Sequence, residues 1–297
     1  MPYAAHEQLV HPARATAGLH YLIAGIIFIE LAFMLSAGSL AMMLDQTGTG
    51  IDGNGSVGLA LLELFVFVFF GIAVVAVAEL HHNRSFGSLI GPLAQVVYDL
   101  RQTLIWMFSI LMIIEAVFVL SYTSDIVEMK NILAWLIILP FAMLGLLIQT
   151  GSEELFYRGY IQQQLAARFD SPLVWLIVPN CLFALAHMSG SASFTENAQI
   201  IIWTFFFGLA ASDITARAGN LGPAIAMHLA NNTVAILLYG EINGFGSALA
   251  LILFEPFANG DGTGASGSSD PILTYNLIYQ LGFVFVLWLT ARNAIRR

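Results

Sequence analysis

Residues 151–160 read GSEELFYRGY and follow an apolar run over residues 135–148. Two adjacent carboxylates are costly at such a position, and ionisable residues within membrane-spanning segments are functional-site candidates by default. On a helix Arg158 lies one turn after Glu154, so the two side chains can pair. Glu153 projects about 100° away from Glu154 around the same axis, which leaves it unpaired. The stretch therefore predicts one structural and one reactive carboxylate, and a solvated ion pair on an interfacial helix is the simpler alternative.

The chain as a whole has the composition of a membrane protein. Of its 297 residues 58% are hydrophobic and only 10% are charged, with a mean hydropathy of +0.81. A soluble domain carries about 25% charged residues. The net charge of −9 gives no reason to expect a nucleic-acid partner. The single cysteine, Cys181, excludes an internal disulfide and a cysteine-based metal site. We predict one transmembrane domain over residues 1–297, without a signal peptide.

Eight segments are long and apolar enough to be candidate spans, since a transmembrane helix needs about 20 apolar residues. They cover roughly 18–44, 57–80, 102–122, 131–150 continuing through the glutamate pair, 172–190, 197–216, 221–240 and 273–291. The connecting loops are rich in turn residues, notably 48–58 and 259–270. The expected fold is an all-α polytopic bundle of about eight transmembrane helices.

The basic residues predict the orientation of this bundle, because cytoplasmic loops carry an excess of Lys and Arg. Eight spans place both termini on one side. That side then holds nine of the ten basic residues, with only Lys130 opposite; the nine are Arg14, Arg84, Arg101, Arg158, Arg168, Arg217, Arg292, Arg296 and Arg297. We therefore expect an integral, multi-pass membrane protein with cytoplasmic termini.

Two further polar features interrupt apolar segments, FALAH at 183–187 and HLANN at 228–232. His228 and Asn232 share a helix face because they are four residues apart. Alone, a membrane histidine is more often an interhelical hydrogen-bond partner than a catalyst. Glu153 lies 17 residues before Asp170 and His187 lies 17 residues after it. If residue 170 is near the tip of an antiparallel hairpin, Glu153 and His187 lie at the same depth.

Glu153, His187, His228 and Asn232 together suffice for peptide hydrolysis without a covalent intermediate. A carboxylate can act as general base on water, and a histidine can hold that water or shuttle a proton. The second histidine with the asparagine can donate hydrogen bonds to the oxyanion. Alternatively, Glu153, His187 and His228 could bind Zn²⁺ in a hydrolytic zinc site.

The three motifs, E-E-x-x-x-R at 153–158, F-x-x-x-H at 183–187 and H-x-x-x-N at 228–232, resemble those of the CPBP intramembrane protease family. That family includes the type II CAAX prenyl endopeptidases and the bacterial Abi proteins, some linked to bacteriocin immunity. The flanking residues ELFYRGY, and Gly219-Asn220-Leu221 before His228, agree with it. The match covers about 150–235, and we place the family-like catalytic core at about 131–240.

The resemblance implies an eight-helix fold with an intramembrane cavity open to the cytoplasmic side. It implies that Glu153 activates water beside His187 and that His228 and Asn232 stabilise the oxyanion. Glu154 and Arg158 would be structural. The expected partners are membrane lipid and a membrane-anchored or prenylated peptide substrate. We favour a metal-free reaction without a cofactor, with zinc as the alternative.

Two other classes of function stay open from the sequence. The chain could be a non-catalytic membrane immunity or binding protein of the Abi type that keeps the motifs for structure. It could also be an ion-coupled transporter that uses Glu30, Glu63 and Glu115, three carboxylates within or at the ends of predicted spans. The transporter reading lacks visible internal repeats.

Overall fold

The protein is a bundle of α-helices, and its computed structural model describes residues 3–46, 56–121, 125–242, 244, 246–255 and 271–296. In chain order the α-helices are α1 (Glu7–Val10), α2 (Leu19–Gln46), α3 (Val57–Phe65), α4 (Phe67–His82), α5 (Phe86–Ile90), α6 (Leu93–Ser121), α7 (Ile132–Glu154), α8 (Gln162–Arg168), α9 (Pro172–Leu185), α10 (Phe194–Ala218), α11 (Gly222–Asn232) and α12 (Tyr275–Ile295). The predicted loop 259–270 and most of loop 48–58 lie outside the described residues.

Six helical stretches are long and apolar enough to cross a membrane in the described part of the chain. They are Leu19–Met42, Val57–His82, Leu93–Val119, Ile132–Arg168, Phe194–Ala218 and Tyr275–Ile295. The two other predicted segments are the shorter apolar helices Pro172–Leu185 and Gly222–Leu238. The predicted all-α polytopic membrane fold is confirmed, while the count of eight spans and the limits of the catalytic core stay predictions.

Large apolar side chains cover the outside of this bundle. Ile137, Met112 and Leu80 are exposed by 72%, 74% and 86%, respectively, and many other leucines, isoleucines and phenylalanines are exposed as well. Contiguous apolar surface of this kind marks an interaction with another apolar phase. Hydrocarbon chains of the bilayer supply that phase, so the protein is an integral membrane protein.

Local sequence signals explain where the helices around the motifs begin and end. Asn131 starts α7, since its side-chain oxygen accepts hydrogen bonds from Leu133 N and Ala134 N. Ser193 and Glu196 form a capping box at the start of α10. Gly219 ends α10 in the left-handed conformation, with φ of 70°, which glycine adopts without steric strain.

Two π-helical segments, Leu155–Ile161 and Thr233–Leu238, directly extend α7 and α11. Residues 162–168 then continue the first as α8, residues 169–171 make the tip, and α9 returns along it. This arrangement is the hairpin that the sequence predicts. Helix α10 packs against α9 and α11, and α11 also packs against α6 and α7. The three motifs therefore lie on neighbouring helices, α7, α9 and α11, with α10 packed between α9 and α11.

A small sheet that the sequence did not predict lies at the far end of α11. Its strands are β1 (Ile126–Met129), β2 (Tyr239–Glu241) and β3 (Ile252–Phe254), in the order β1-β3-β2. Strand β3 pairs antiparallel with β1 and parallel with β2. Strands of three or four residues carry too little alternation of polar and apolar residues to be recognised from sequence.

The N-terminal segment packs against the bundle near the N-terminal end of α9 and the C-terminal end of α10. Gln8 Nε2 donates to Gly219 O at 2.6 Å. The His6 ring lies 4.7 Å from the Trp175 ring, centroid to centroid. Burial lowers the pKa of His6 to about 4, because the charged imidazolium loses its water there. The N-terminal segment is therefore packed against the bundle through its buried residues His6, Leu9, Val10 and Ala13.

Candidate active site

A fully buried ion pair forms the base of the site. Arg158 Nη1 donates to Glu154 Oε1 at 3.0 Å, and both side chains are 0% exposed. The sequence predicted this pairing from the four-residue spacing. Removing one partner would leave a charge alone in an apolar interior, a situation that costs several kcal/mol.

Arg158 is held by two neighbouring helices as well as by its own. Its Nη2 donates to Asn180 Oδ1 of α9 at 3.1 Å and to Gly208 O of α10 at 3.0 Å. A Cβ at Gly208 would lie only 2.5 Å from Asn180 Oδ1, so this close approach requires glycine. The guanidinium also lies 4.6 Å from the centre of the Phe183 ring. Arg158 therefore ties the first motif to α9 and α10.

Sequence reasoning missed Asn180 and Gly208. An asparagine within the apolar run 172–185 was the available signal, since a buried amide needs partners. Asn180 also donates to Ser212 Oγ at 2.8 Å. Its position opposite Arg158 depends on how α9 packs on the π-helical segment, which no residue spacing specifies.

His228 lies between the two glutamates. Its Nδ1 is 2.8 Å from Glu154 Oε1, and its Nε2 is 3.8 Å from Glu153 Oε2. The rings of Phe207 and Phe183 meet the His228 ring edge to face, with centroids 5.2 and 6.0 Å away. His228 is thus fixed by a hydrogen bond on one side and by aromatic rings around it, with Nε2 directed toward Glu153.

Glu153 differs from its neighbour in having no side-chain hydrogen bond within the described residues. Its side chain is 11% exposed and interacts electrostatically with both His228 and His187. The predicted angular separation of the two glutamates is present, because Glu154 faces Arg158 while Glu153 faces the histidines. His228 Nε2 thus lies 3.8 Å from Glu153, and His187 is within range of an electrostatic interaction with it, while the catalytic roles assigned from the motifs stay predictions.

His187 stands at the open edge of the site. Its Nδ1 is 2.7 Å from Phe183 O, and the ring centroids of Phe183 and His187 are 4.6 Å apart. Helix α9 ends at Leu185, so His187 lies on the following turn and is exposed rather than inside a span running to residue 190. Asn197 Oδ1 accepts a hydrogen bond from Ser189 N at 2.9 Å and stabilises this turn.

Asn232 is half-buried at the last residue of α11, one turn after His228. Asn231 Nδ2 donates to Asn232 Oδ1 at 3.1 Å. The oxygen of the Asn232 amide is therefore engaged, which leaves the Nδ2 group as its donor. The π-helical segment Thr233–Leu238 begins immediately afterwards, just as the segment Leu155–Ile161 begins immediately after Glu154. π-Helical segments are rare in proteins, and those that occur often lie at functional sites.

Three consecutive glutamines, Gln162 to Gln164, follow the π-helical segment Leu155–Ile161 and bond it to neighbouring helices. The Nε2 groups of Gln162 and Gln163 donate to Ser212 O at 3.1 Å and to Leu89 O at 2.7 Å. Gln164 Nε2 is 3.0 Å from His82 Nδ1. All three are buried. Hydrogen bonds from consecutive positions leave little freedom for the π-helical segment to rotate.

The zinc alternative requires ligands from Glu153, His187 and His228. In the described residues no group of three or more His, Cys, Asp or Glu side chains could hold a metal ion. His228 Nδ1 contacts Glu154 and His187 Nδ1 contacts Phe183 O, so only the Nε2 atom of each ring is available.

The three other glutamates of interest lie on three different helices, and one of them, Glu30, interacts electrostatically with Tyr157, the residue before Arg158. Glu30, Glu63 and Glu115 are on α2, α3 and α6. Glu63 is exposed, and the other two are half-buried. Glu115 borders a separate cavity of about 570 Å³ with Trp135 among its walls. Their role in transport stays a hypothesis.

Comparison with known proteins agrees with the motifs. Residues 131–234 match the family described as Type II CAAX prenyl endopeptidase Rce1-like. A curated relative is the "Uncharacterized protein YyaK" of Bacillus subtilis (strain 168), 25% identical over 126 residues, which cover 42% of this chain and 42% of that protein. The similarity thus spans less than half of the relative's length. No solved structure matches the chain. The family match confirms the resemblance that the three motifs indicated.

Proposed function

We propose that this protein, whose residues 131–234 form an Rce1-like region, is an intramembrane endopeptidase that uses water activated by Glu153. At the level of the family, the match supports a CAAX-type membrane endopeptidase. The substrate would be a membrane-anchored or prenylated peptide, cleaved near the membrane surface. Such a substrate arrives from the bilayer in which the protein itself resides.

The observation that carries the proposal is the difference between two adjacent carboxylates. Glu154 is fully buried and bonded to Arg158 and His228, whereas Glu153 has no hydrogen bond among the described residues and faces two histidines. A general base must have a free oxygen within reach of a water molecule. Glu153 meets this requirement with a side chain that is 11% exposed, whereas Glu154 is fully buried, its Oε1 is bonded to Arg158 and His228, and water cannot reach its Oε2.

His187 is suited to orient the water. Phe183 O can only accept a hydrogen bond, so His187 Nδ1 carries the proton of the bond between them. In the neutral ring Nε2 then has a lone pair, which can accept a hydrogen bond from the water that Glu153 deprotonates. The partially exposed edge at His187 would let that water enter the site.

His228 and Asn232 would stabilise the negative charge that forms on the peptide oxygen. Asn232 Nδ2 is a donor, and Asn231 Nδ2 already donates to the Asn232 oxygen, which holds the amide in one orientation. His228 Nδ1 donates to Glu154, so donation through Nε2 requires the imidazolium form. That form also balances the charge of the cluster, since two carboxylates then face Arg158 and His228. After attack, the proton taken up by Glu153 passes to the leaving amine, and the carbon–nitrogen bond breaks.

A metal-free reaction is the simpler version of this chemistry. An asparagine is a poor zinc ligand and a good oxyanion donor. Glu154 is the next carboxylate that could serve as a zinc ligand beside Glu153, His187 and His228, and it is already bonded to Arg158. We therefore propose no cofactor, and the zinc alternative is tested directly below.

We also propose cytoplasmic termini and a site open to the cytoplasmic side, because nine of ten basic residues fall on that side in the eight-span arrangement. Cysteine-accessibility labelling in a Cys181→Ser background measures on which side of the membrane each loop lies. Cysteines at positions 168 and 130 should label from opposite faces of sealed vesicles. Labelling of both from the same face would refute the arrangement.

The decisive experiment is cleavage of a membrane-anchored peptide library by the purified protein, before and after dialysis against a strong chelator. Metal loss is verified by elemental analysis, and Glu153→Ala is the matched inactive control. We expect cleavage by the wild type that survives metal removal and is absent in Glu153→Ala.

Each contrary outcome points to a different conclusion. Activity that is lost on metal removal and restored by stoichiometric Zn²⁺ would recast Glu153, His187 and His228 as ligands. Absence of cleavage of prenylated and unprenylated anchored peptides alike would favour the immunity or binding protein. Equal cleavage by wild type and Glu153→Ala would mean that a different site acts.

A further inference from the structure

An apolar cavity of about 540 Å³ lies between α9, α10 and α12, outside the candidate active site. Its walls are almost entirely hydrocarbon; they include Leu176, Phe206, Leu209, Leu281 and Phe285. The lining residues run from 206 to 213 on α10 and from 281 to 288 on α12, which is ~10 Å along each helix. This length lies within one leaflet of a bilayer, whose hydrocarbon core is ~30 Å thick in total.

One end of the cavity is polar and well ordered. The Asp213 carboxylate accepts hydrogen bonds from Tyr3 OH at 2.7 Å, from Trp288 Nε1 at 2.8 Å and from Arg217 Nε at 2.8 Å. Burial and the adjacent carboxylate raise the pKa of Tyr3 to about 12, so its hydroxyl keeps its proton and remains a donor. These bonds join the N-terminal segment, α10 and α12 at one point.

Two arginines border this polar end. The Arg217 guanidinium uses Nε for Asp213 and lies 5.3 Å from the Tyr3 ring centre. The Arg292 guanidinium lies 4.9 Å from the Trp288 ring centre, and among the described residues it is in no ion pair. With one carboxylate against two guanidinium groups, the end of the cavity carries a net positive charge.

We propose that this cavity binds a phospholipid with an anionic headgroup. One acyl chain would lie against the apolar walls formed by α9, α10 and α12. The phosphate would lie at the rim, where the guanidinium groups of Arg217 and Arg292 can donate to it. Guanidinium groups bind phosphate oxygens through several parallel hydrogen bonds, which suits them to this role.

The charge at the rim determines which occupant fits. An apolar cavity alone would accept any acyl chain, and a neutral or zwitterionic lipid would gain nothing overall from the excess positive charge. A lipid with net negative charge gains the interaction with Arg217 and Arg292 in addition to burial of its chain. Each arginine near an anionic headgroup contributes about 1 kcal/mol, which corresponds to roughly fivefold in affinity.

Lipid retention measured by native mass spectrometry tests the proposal. The full-length protein is reconstituted in nanodiscs that contain equal parts of phosphatidylcholine and phosphatidylglycerol and is then released for analysis. We expect the wild type to retain phosphatidylglycerol preferentially. Arg292→Gln should reduce that preference roughly fivefold, and Ala210→Leu, which narrows the cavity, should reduce retention of both lipids.

Arg168→Gln is the matched control, because Arg168 is an exposed arginine at the end of α8, distant in sequence from α10 and α12. It should retain lipid as the wild type does. Equal loss in Arg168→Gln and Arg292→Gln would show a general surface-charge effect and overturn the proposal. Unchanged phosphatidylglycerol preference in Arg292→Gln would overturn it as well. Arg292 is at the helix end and partly exposed, so its replacement tests the site even if Ala210→Leu folds poorly.

Discussion

Glu153 and Glu154 are neighbours on one helix, yet they belong to two different environments. On the anchored side, Arg158 links Glu154, Asn180 and Gly208, and neither charged side chain is exposed. On the open side, Glu153 interacts electrostatically with the exposed His187 and has no hydrogen bond among the described residues. His228 contacts both sides, with Nδ1 toward one glutamate and Nε2 toward the other.

The difference shows how a membrane helix can carry a carboxylate without a hydrogen-bond partner beside one that is paired. A buried charge needs a partner, and Arg158 provides one for Glu154. The ordered anchor then fixes the backbone at residue 154, which also fixes the direction of the next residue. Glu153 can stay unbonded because its neighbour carries the structural role.

The largest effect should come from removing the base on the open side. Glu153→Gln keeps the shape of the side chain but cannot take up a proton. We expect hydrolysis to fall by up to about 10⁴-fold, the upper range for general-base catalysis. Initial cleavage rates on an anchored peptide measure this, with Glu79→Gln on the surface of α4 as the control. Melting of Glu153→Gln should stay close to that of the wild type, and strong destabilisation would place Glu153 on the anchored side instead.

Local spacing was enough to predict the contacts within one helix. The pairing of Glu154 with Arg158 follows from a separation of four residues, and the divergence of Glu153 follows from the rotation between consecutive residues. The hairpin was also predictable, because Pro172 and the polar tip before it end one helix and begin another. Hydropathy located the six candidate spans and the two shorter apolar helices of the described residues, whereas the number that cross the membrane stays a prediction.

Contacts between helices could not be predicted in the same way. Asn180 meets Arg158 across 22 positions of sequence, and Gly208 meets it across 50. The early end of α9 at Leu185 and the two π-helical segments depend on packing and on turn contacts such as that of Asn197. The strands β1 to β3 depend on pairing between distant short segments. Helix propensity contains none of this information.

The next effect concerns the anchored side itself. Arg158→Ala leaves Glu154 as a buried charge whose remaining partner is His228. We expect the free energy of unfolding to fall by about 3–5 kcal/mol, as for other broken buried pairs. Chemical unfolding in detergent micelles measures it, with the exposed Arg168→Ala as the control. If Arg158→Ala and Arg168→Ala unfold alike, the ion pair does not stabilise the fold.

A smaller effect is expected from Asn232, the proposed oxyanion donor. Asn232→Ala removes the Nδ2 group while the contacts of Glu154 and Arg158 stay in place. We expect a loss of about 10²–10³-fold in turnover, the typical consequence of losing one oxyanion donor, with little change in melting. Steady-state kinetics separates the effects, because a lower kcat at similar KM indicates stabilisation of the transition state. Asn276→Ala, at an exposed position on α12, should behave as the wild type, and unchanged kcat in Asn232→Ala would remove Asn232 from the mechanism.

The smallest effect should come from Asn180, which supports the anchored side from another helix. Asn180→Leu has a similar size but cannot accept the hydrogen bond from Arg158 Nη2, and it also loses the two bonds that Asn180 Nδ2 donates to Leu176 O and Ser212 Oγ. Arg158 then keeps its bonds to Gly208 O and Glu154. The lost bond to the charged guanidinium is the strongest of the three. A hydrogen bond to a charged group contributes about 1.5–3 kcal/mol, so we expect a loss of this size in the free energy of unfolding. Because Asn180 does not contact Glu153, His187 or Asn232, kcat of the folded variant should stay near that of the wild type. Cys181→Ser, at the exposed neighbouring position, controls for a change in α9 and should shift stability by less than about 0.5 kcal/mol. A loss of kcat without a loss of stability would show that the two sides are coupled, since the anchored side would then act on the chemistry of Glu153 rather than on the fold.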